Sequence, residues 1–301
     1  GMMQKAKQMQ EDSITACPLL QVWQVSSSYD ETLVEGLASL EVSKVGFESK
    51  HLDVSRFQFL KKKITDNQAK VELQTTTDVI AEMRMIKDAG EVERIRASAS
   101  MLTEVAESAF RAVRPGVSEL KVARLINESL SRVGFDRVAF DTIVASGPNS
   151  ALPHHHPGKR CLEVGDLVVL DFGGVLDGYC CDLTRTVSVG QPGPEAQRVY
   201  SAVHAAQQAA IQMVRPNVST VDVDGAARLV LQSNGLGEAF SHGTGHGLGL
   251  EVHELPRVTK APSDANKLEV LLKPGMVFTI EPGAYIPGWG GVRIEDDVLI
   301  T

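Results

Sequence analysis

The sequence predicts a mixed α/β (α+β) chain in two parts, a small α/β unit over residues 1–85 and a larger unit over residues 86–301 built from two similar halves. Three observations predict it. Strand-like and helical patterns alternate through the first part. One motif occurs twice in the remainder, as RPGVSELKVARLI from Arg114 and RPNVSTVDVDGAARLV from Arg215. Strand-rich segments lie between and after the two copies, and they carry most of the chemistry-bearing side chains.

In chain order, LLQVWQV (Leu19–Val25) reads as a strand, DETLVEGLASL as a helix, SKVGFES as a second strand and VSRFQFLKKKI as another helix. VELQTTTDV is a further strand, and Thr77–Lys87 joins this unit to the rest. Each copy of the repeat follows a long amphipathic stretch, Glu91–Val113 or Glu195–Val214, which Pro115 or Pro216 ends. Ser118 or Ser219 then caps a second helix, its hydroxyl accepting an N–H that the first turn leaves unpaired. Gly134 or Gly235 closes that helix. So long a repeat is no solenoid. It implies two halves packed face to face.

The bulk composition narrows the class. A hydrophobic content of 43% supports a sizeable core, and 23% charged residues give a water-exposed surface. The formal net charge of −8, with basic residues scattered, leaves no footprint for nucleic acid or an anionic membrane. GMMQKAKQMQEDS has no apolar signal region, no stretch approaches the ~20 apolar residues of a membrane span, and Gly1 reads as an expression remnant. Cys17, Cys161, Cys180 and Cys181 form no CxxC pair and no disulfide framework, so a reducing, cytoplasmic setting is expected. Cys180 and Cys181 read as core packing.

Five potential metal ligands stand in the second half of the chain: Asp171, Asp182, His246, Glu281 and Glu295. Four carboxylates and one imidazole, with no thiolate, suit Mn²⁺, Co²⁺ or Zn²⁺ held as a pair, because a single cation would leave too much converging negative charge. DLVVLDFG and GYCCDLTRTVSVG flank Asp177-Gly178, a strong two-residue hairpin signal. That turn sets Leu176 against Tyr179 and Asp171 against Thr184. Asp182 then shares the Thr184 face and lies diagonal to Asp171, about 7–8 Å away along the backbone. VFTIEPG (Val277–Gly283) is another strand, with GGVRIEDD (Gly290–Asp297) as its expected partner across Pro287, Gly288 and Trp289. Arg293 and Glu295 share a face. Glutamates among apolar neighbours are costly unless cations meet them. In SHGTGHGLGLEVHE, alternate glycines at 243, 245, 247 and 249 permit close approach of backbone or substrate and suggest an open cavity wall. His242 and His246 have the same strand parity, with His253 beyond.

ASGPNSALPH, LVVLDFG, GYCCDLTRT, GTGHGLGLEVHE, FTIEPGAY and GGVRIEDD, in this order, make the chain from about Val42 to Thr301 resemble the Xaa-Pro metallopeptidases (proline dipeptidase and aminopeptidase P), which are related to methionine aminopeptidase. TRT after Asp182 and the GGVRIED ending are more similar to the Xaa-Pro branch. The resemblance implies a pita-bread fold, two pseudo-symmetric halves around a curved antiparallel sheet, behind a truncated N-terminal domain of the creatinase/prolidase type. It further implies that Asp171 chelates one metal, that His246 and Glu281 bind the other, and that Asp182 and Glu295 bridge both. His154 and His253 would assist the reaction, His253 at the substrate carbonyl. His242, Tyr285 and Arg293 would line the substrate pocket, and family spacing leaves His155 and His156 as loop residues. Compared with the family, the chain reads as shortened at both ends.

The resulting expectation is hydrolysis of the Xaa-Pro bond in dipeptides or short peptides by a water held between two ions and ionised to hydroxide near neutral pH, Glu281 serving as base and then acid. A homodimer is what the resemblance suggests. A methionine aminopeptidase is the enzymatic alternative. A peptidase-fold binding protein without catalysis, or a metal-free creatinase-like hydrolase, should have lost ligands, whereas all five are present.

Overall fold

The computed structural model describes residues 23–25, 27–40, 42–261 and 269–301. Cys17 and most of LLQVWQV lie outside them, and residues 23–25 carry no strand. The chain divides into two compact units, Gly1–Ile80 and Ala81–Thr301.

The first unit contains helix α1 (Tyr29–Ser39), strand β1 (Lys44–Glu48), helix α2 (Val54–Asp66) and strand β2 (Glu72–Thr76). Ser28 and Asp53 cap the helices by accepting the N–H groups of Glu31 and Arg56. β1 and β2 pair in parallel, from Lys44 opposite Glu72 to Glu48 opposite Thr76, so the chain needs α2 as its crossover. Val34, Leu60 and Ile64 form the small core. Helix α3 (Val79–Met85) follows, so the expected joining segment is largely helical.

The second unit opens with α4 (Ala89–Ala112), which starts at an Asp88–Glu91 capping box, and α5 (Glu119–Val133), which starts at Ser118 and ends at Gly134 with φ 109°. Strands β3 (Arg137–Val138), β4 (Ile143–Ser146), β5 (Leu167–Leu176) and β6 (Tyr179–Ser188) complete this half, with β5 at the centre of the antiparallel sheet. The second half repeats the plan. Helix α6 (Pro194–Met213) precedes α7 (Thr220–Ser233), which is capped by Ser219, and strands β7 (Gly245–Gly247), β8 (Glu254–Val258), β9 (Val277–Ile280), β10 (Gly283–Ile286), β11 (Gly290–Arg293) and β12 (Asp296–Leu299) follow.

The internal echo extends further than the two helix pairs. Leu162 N–H donates to Val117 O and Leu272 N–H to Val218 O, both at 2.9 Å. Ser118 bridges Cys161, and Ser219 bridges Leu271. Gly165 (φ 97°) and Gly275 (φ 88°) turn the chain into β5 and β9 alike. Counting on from these glycines equates Asp171 with Glu281. Two ligand candidates are therefore symmetry mates across the halves.

Each half keeps its own core between its helix pair and one sheet face. Val168, Leu170 and Phe172 of β5 pack with Leu102, Val105, Val122 and Ile126, while Phe278 and Ile280 of β9 pack with Val199, Val203, Val223 and Leu231. Strand alternation turns Asp171, Asp182, Thr184, Thr279, Arg293 and Glu295 to the opposite face. All six are still buried.

The expected pairing of VFTIEPG with GGVRIEDD forms, with Gly283 opposite Arg293, Ile280 opposite Asp296 and Thr279 opposite Asp297, but it extends further in both arms. Gly290–Arg293 pairs with Gly283–Ile286, and Val277–Ile280 pairs with Asp296–Leu299. Only residues 287–289 form the turn, so the hairpin arms are longer than the sequence suggested. The ladder is interrupted between Ile280 and Gly283, where Pro282 has no N–H to donate. Both glutamates, Glu281 and Glu295, stand at this break.

Candidate metal centre

The Asp177-Gly178 turn forms with φ of 49° and 84°, Leu176 opposes Tyr179, and Asp171 opposes Thr184. Asp182 lies opposite Gly173, so the two aspartates occupy one face as their spacing indicated. Asp182, His246 and Glu295 each place a donor atom within 4.8 Å of the other two. Glu281 Oε1 is 3.4 Å from His246 Nε2, and Asp182 Oδ2 is 3.9 Å from it. Asp171 joins through Arg293, whose Nη2 donates to Asp171 Oδ2 at 2.5 Å. All five candidates line one cavity of about 620 Å³, together with His154, His253, His242 and Arg293.

His246 is set up to ligate. Its Nδ1 lies 3.1 Å from Gly247 O, and a carbonyl can only accept, so Nδ1 carries the proton and Nε2 turns a lone pair to the acids. Burial, followed by neighbouring His253, lowers its pKa to about 4, which keeps the ring neutral. The strand reaches this depth because Gly245 lacks a side chain: a Cβ there would lie 1.8 Å from Thr279 O. The alternate glycines thus serve backbone approach more than an open wall, although Gly243 and Gly245 do border the cavity.

The acids repel one another at close quarters. Burial first, then Glu295 and Asp171, holds Asp182 well above the usual carboxylate range. Burial, then Glu281 and Asp171, does the same to Glu295, and burial raises Glu281 to about 7. Asp171 Oδ1 and Asp182 Oδ1 are buried without a hydrogen-bond partner. Among the described residues, Arg293 is the one Lys or Arg in an ion pair with the set. A divalent cation supplies what is missing here, so the residues fit the metal their donor chemistry suggests.

Around the acids runs a hydrogen-bonded frame. Thr184 Oγ1 donates to Glu295 Oε2 at 2.5 Å and accepts Arg293 Nε at 3.2 Å. Arg293 Nη1 reaches Tyr285 OH at 2.8 Å, and His242 Nε2 lies 2.9 Å from the same hydroxyl. Tyr285 therefore stands behind His242 and Arg293. His253 stacks edge-on to His246 with ring centroids 4.3 Å apart. Asp297 Oδ2 accepts the Asp182 N–H at 3.1 Å, fixing that aspartate from behind.

The sequence reading missed several residues. His155 and His156 border the cavity, as do Arg257 and Thr259. His155 also contacts Glu119, which is 0% exposed. Nothing local in the sequence marks Glu119 beyond its place after the cap Ser118. Glu254, beside His253, meets buried Lys87 at 3.2 Å and also pairs with Arg84.

Residues 93–301 match metallopeptidase family M24, and residues 2–86 match the creatinase/prolidase N-terminal domain. The chain belongs to metallopeptidase family M24. Within it the Xaa-Pro branch is the relevant one. This M24 metallopeptidase is 34% identical to an Xaa-Pro dipeptidase from Bacillus anthracis, with a TM-score of 0.87 over 93% of this chain and 76% of that one. It is 38% identical to the prolidase from Pyrococcus furiosus, with a TM-score of 0.84 over 94% and 79%. An uncharacterized peptidase of Bacillus subtilis is 38% identical over 90% of this chain and 74% of its own length. The fold is the pita-bread M24 domain behind a small N-terminal domain. Among the described residues, no helix is long and apolar enough to cross a membrane.

Proposed function

We propose that this M24 metallopeptidase hydrolyses the Xaa-Pro bond of dipeptides or short peptides with two divalent metal ions, Mn²⁺ foremost and Co²⁺ or Zn²⁺ as substitutes. One observation carries the reading: three buried carboxylates, a half-buried fourth and a neutral imidazole line one cavity, with two carboxylate oxygens left unpartnered. Asp171, Asp182, His246, Glu281 and Glu295 would hold the ions, with Asp182 and Glu295 shared. Bound there, the pair would polarise the scissile carbonyl and lower the pKa of the attacking water from about 15.7 to about 7.

The chain's own groups do the rest. Glu281 takes the water's proton at its carboxylate and returns it to the leaving nitrogen. His253 and His154 donate hydrogen bonds to the developing oxyanion and the bound peptide. His242 and Arg293 shape the wall for the proline, and Tyr285 braces both. The similarity to an Xaa-Pro dipeptidase and a prolidase supports this specificity. We assign residues 1–85 and 86–301 to the two domains, the enzyme to the cytoplasm and its assembly to a homodimer.

The test is metal content of the purified chain beside turnover of Xaa-Pro dipeptides, longer Xaa-Pro peptides and Met-initiated peptides with added Mn²⁺. Two ions per chain and cleavage confined to Xaa-Pro bonds are expected. Cleavage of only the Met-initiated peptides, or full turnover after chelation, would overturn the reading.

A further inference from the structure

Glu119 is the first residue of α5 and is 0% exposed, yet its carboxylate turns away from its own helix. Oε1 accepts Ser146 N–H at 2.8 Å, Ser146 Oγ at 2.7 Å and Asn149 Nδ2 at 2.9 Å. Oε2 accepts His155 Nε2 at 2.9 Å and Gly158 N–H at 3.1 Å. All five donors belong to the segment Ser146–Gly158, two residues from its start and two from its end. The cavity-lining residues Pro153, His154, His155 and His156 lie in the span between.

An acid in the first turn of a helix is ordinary, since it complements the helix dipole. That explanation does not account for Glu119. The dipole can be met from another position: in α7 the residue equivalent to Glu119, after the cap Ser219, is Thr220, and the first-turn acid is Asp222. What distinguishes the first half is the long loop after β4 and the histidine it carries. Two further ties set the loop against the other half: Gly291 N–H donates to Ser150 Oγ at 2.7 Å, and Arg293 Nη1 to Pro153 O at 3.4 Å.

We propose that Glu119 is a positioning residue for His154, its buried carboxylate gathering both ends of the Ser146–Gly158 loop so that this histidine is held at the cavity. The inference rests on the peptidase reading above, in which His154 acts on bound substrate. Glutamine at this position keeps the shape but replaces one acceptor oxygen with a donor, which faces N–H and O–H groups that need an acceptor. The loop then loses part of its anchorage. Displacement of a reacting group by about 1 Å costs about 10²-fold in rate.

The experiment compares Glu119→Gln, the milder His155→Ala, His154→Ala and the double variant Glu119→Gln/His154→Ala. Each is assayed for kcat and KM on an Xaa-Pro dipeptide with Mn²⁺, for Mn²⁺ binding by calorimetry, and for hydrogen exchange of residues 146–158. Glu119→Gln should bind Mn²⁺ as the parent does, lose about 10²-fold in kcat with KM nearly unchanged, and exchange faster in this segment. His155→Ala should shift the same quantities less. In the His154→Ala background, Glu119→Gln should add little further loss. Unchanged exchange in residues 146–158, or losses that multiply in the double variant, would overturn the proposal. If the parent binds Mn²⁺ but cleaves no Xaa-Pro peptide, the peptidase reading fails, and the exchange of Glu119→Gln still decides whether the carboxylate anchors the loop.

Discussion

Asp182 shows most plainly how a side chain can be costly to the fold and necessary to the site. It is 6% exposed, its Oδ1 has no partner, and its neighbours Glu295 and Asp171 are acids. In the metal-free chain such a group is desolvated without compensation, so removing its capacity to ionise relieves strain. Asp182→Asn should therefore stabilise the chain in chelator by about 1 kcal/mol, the usual gain when a functional residue is relaxed. The same change should weaken Mn²⁺ binding at least about 10²-fold, because an amide oxygen lacks the charge that balances the ion. Thermal melts in chelator and calorimetric titration measure the two effects separately. A variant with parental Mn²⁺ affinity would remove Asp182 from the ligand set. Asp182 was readable from the sequence because the hairpin turn fixes its parity two residues from Thr184. The frame behind it was not, since Asp297 meets its N–H from 115 residues away and no local pattern encodes that.

Among the elements, helix starts and the β5–β6 hairpin were legible, while their long-range ties were not. Ser118 and Ser219 cap as their hydroxyl chemistry requires, and one turn sets the whole β5–β6 register. The pairing of VFTIEPG with GGVRIEDD was legible, but the full length of the arms was not, because Pro282 breaks the ladder and a break hides where a strand resumes. Glu119 was passed over because its four partner residues lie 27 to 39 positions on. Burial alone would raise its pKa, but hydrogen bonds from Ser146, Asn149 and His155 outweigh it and hold the carboxyl below the ordinary 4.5. A depressed folded pKa contributes stability that is fully present above the unfolded value and is lost as pH falls through the folded one. His155 and Arg160 are the other charged or titratable groups facing it. Glu119→Gln should thus be less stable than the parent by about 2 kcal/mol at neutral pH, the cost of leaving buried donors unmet. That difference should be constant above about pH 4.5 and shrink below it. Denaturant titrations of both proteins from about pH 7 down to about pH 3 measure the gap, and a gap that widens toward acid would contradict the assignment.

At the scale of the whole molecule, the two halves divide the work of building one site. Asp171 and Asp182 come from the β5–β6 hairpin, His246 from β7, and Glu281 and Glu295 from the break between the last four strands. With the proposed ligands neither half supplies all five residues, so metal binding should be linked to the packing of both halves of the second unit. A ligand that binds only the folded state stabilises it by RT ln(1 + [L]/Kd), about 2.7 kcal/mol at a free concentration of 100 Kd. For a unit of this size that corresponds to a rise in melting temperature of roughly 5–10 °C. Mn²⁺ should produce it and EDTA should reverse it. The location of the effect is the sharper measurement. Slowed hydrogen exchange should appear in β5, β6, β7, β9 and β11 together, because they meet at the acids, while the β1–β2 pair of the first unit should exchange as before. Protection confined to one half would mean that its residues bind metal independently, and the shared-site geometry built from Asp182, His246 and Glu295 would have to be abandoned.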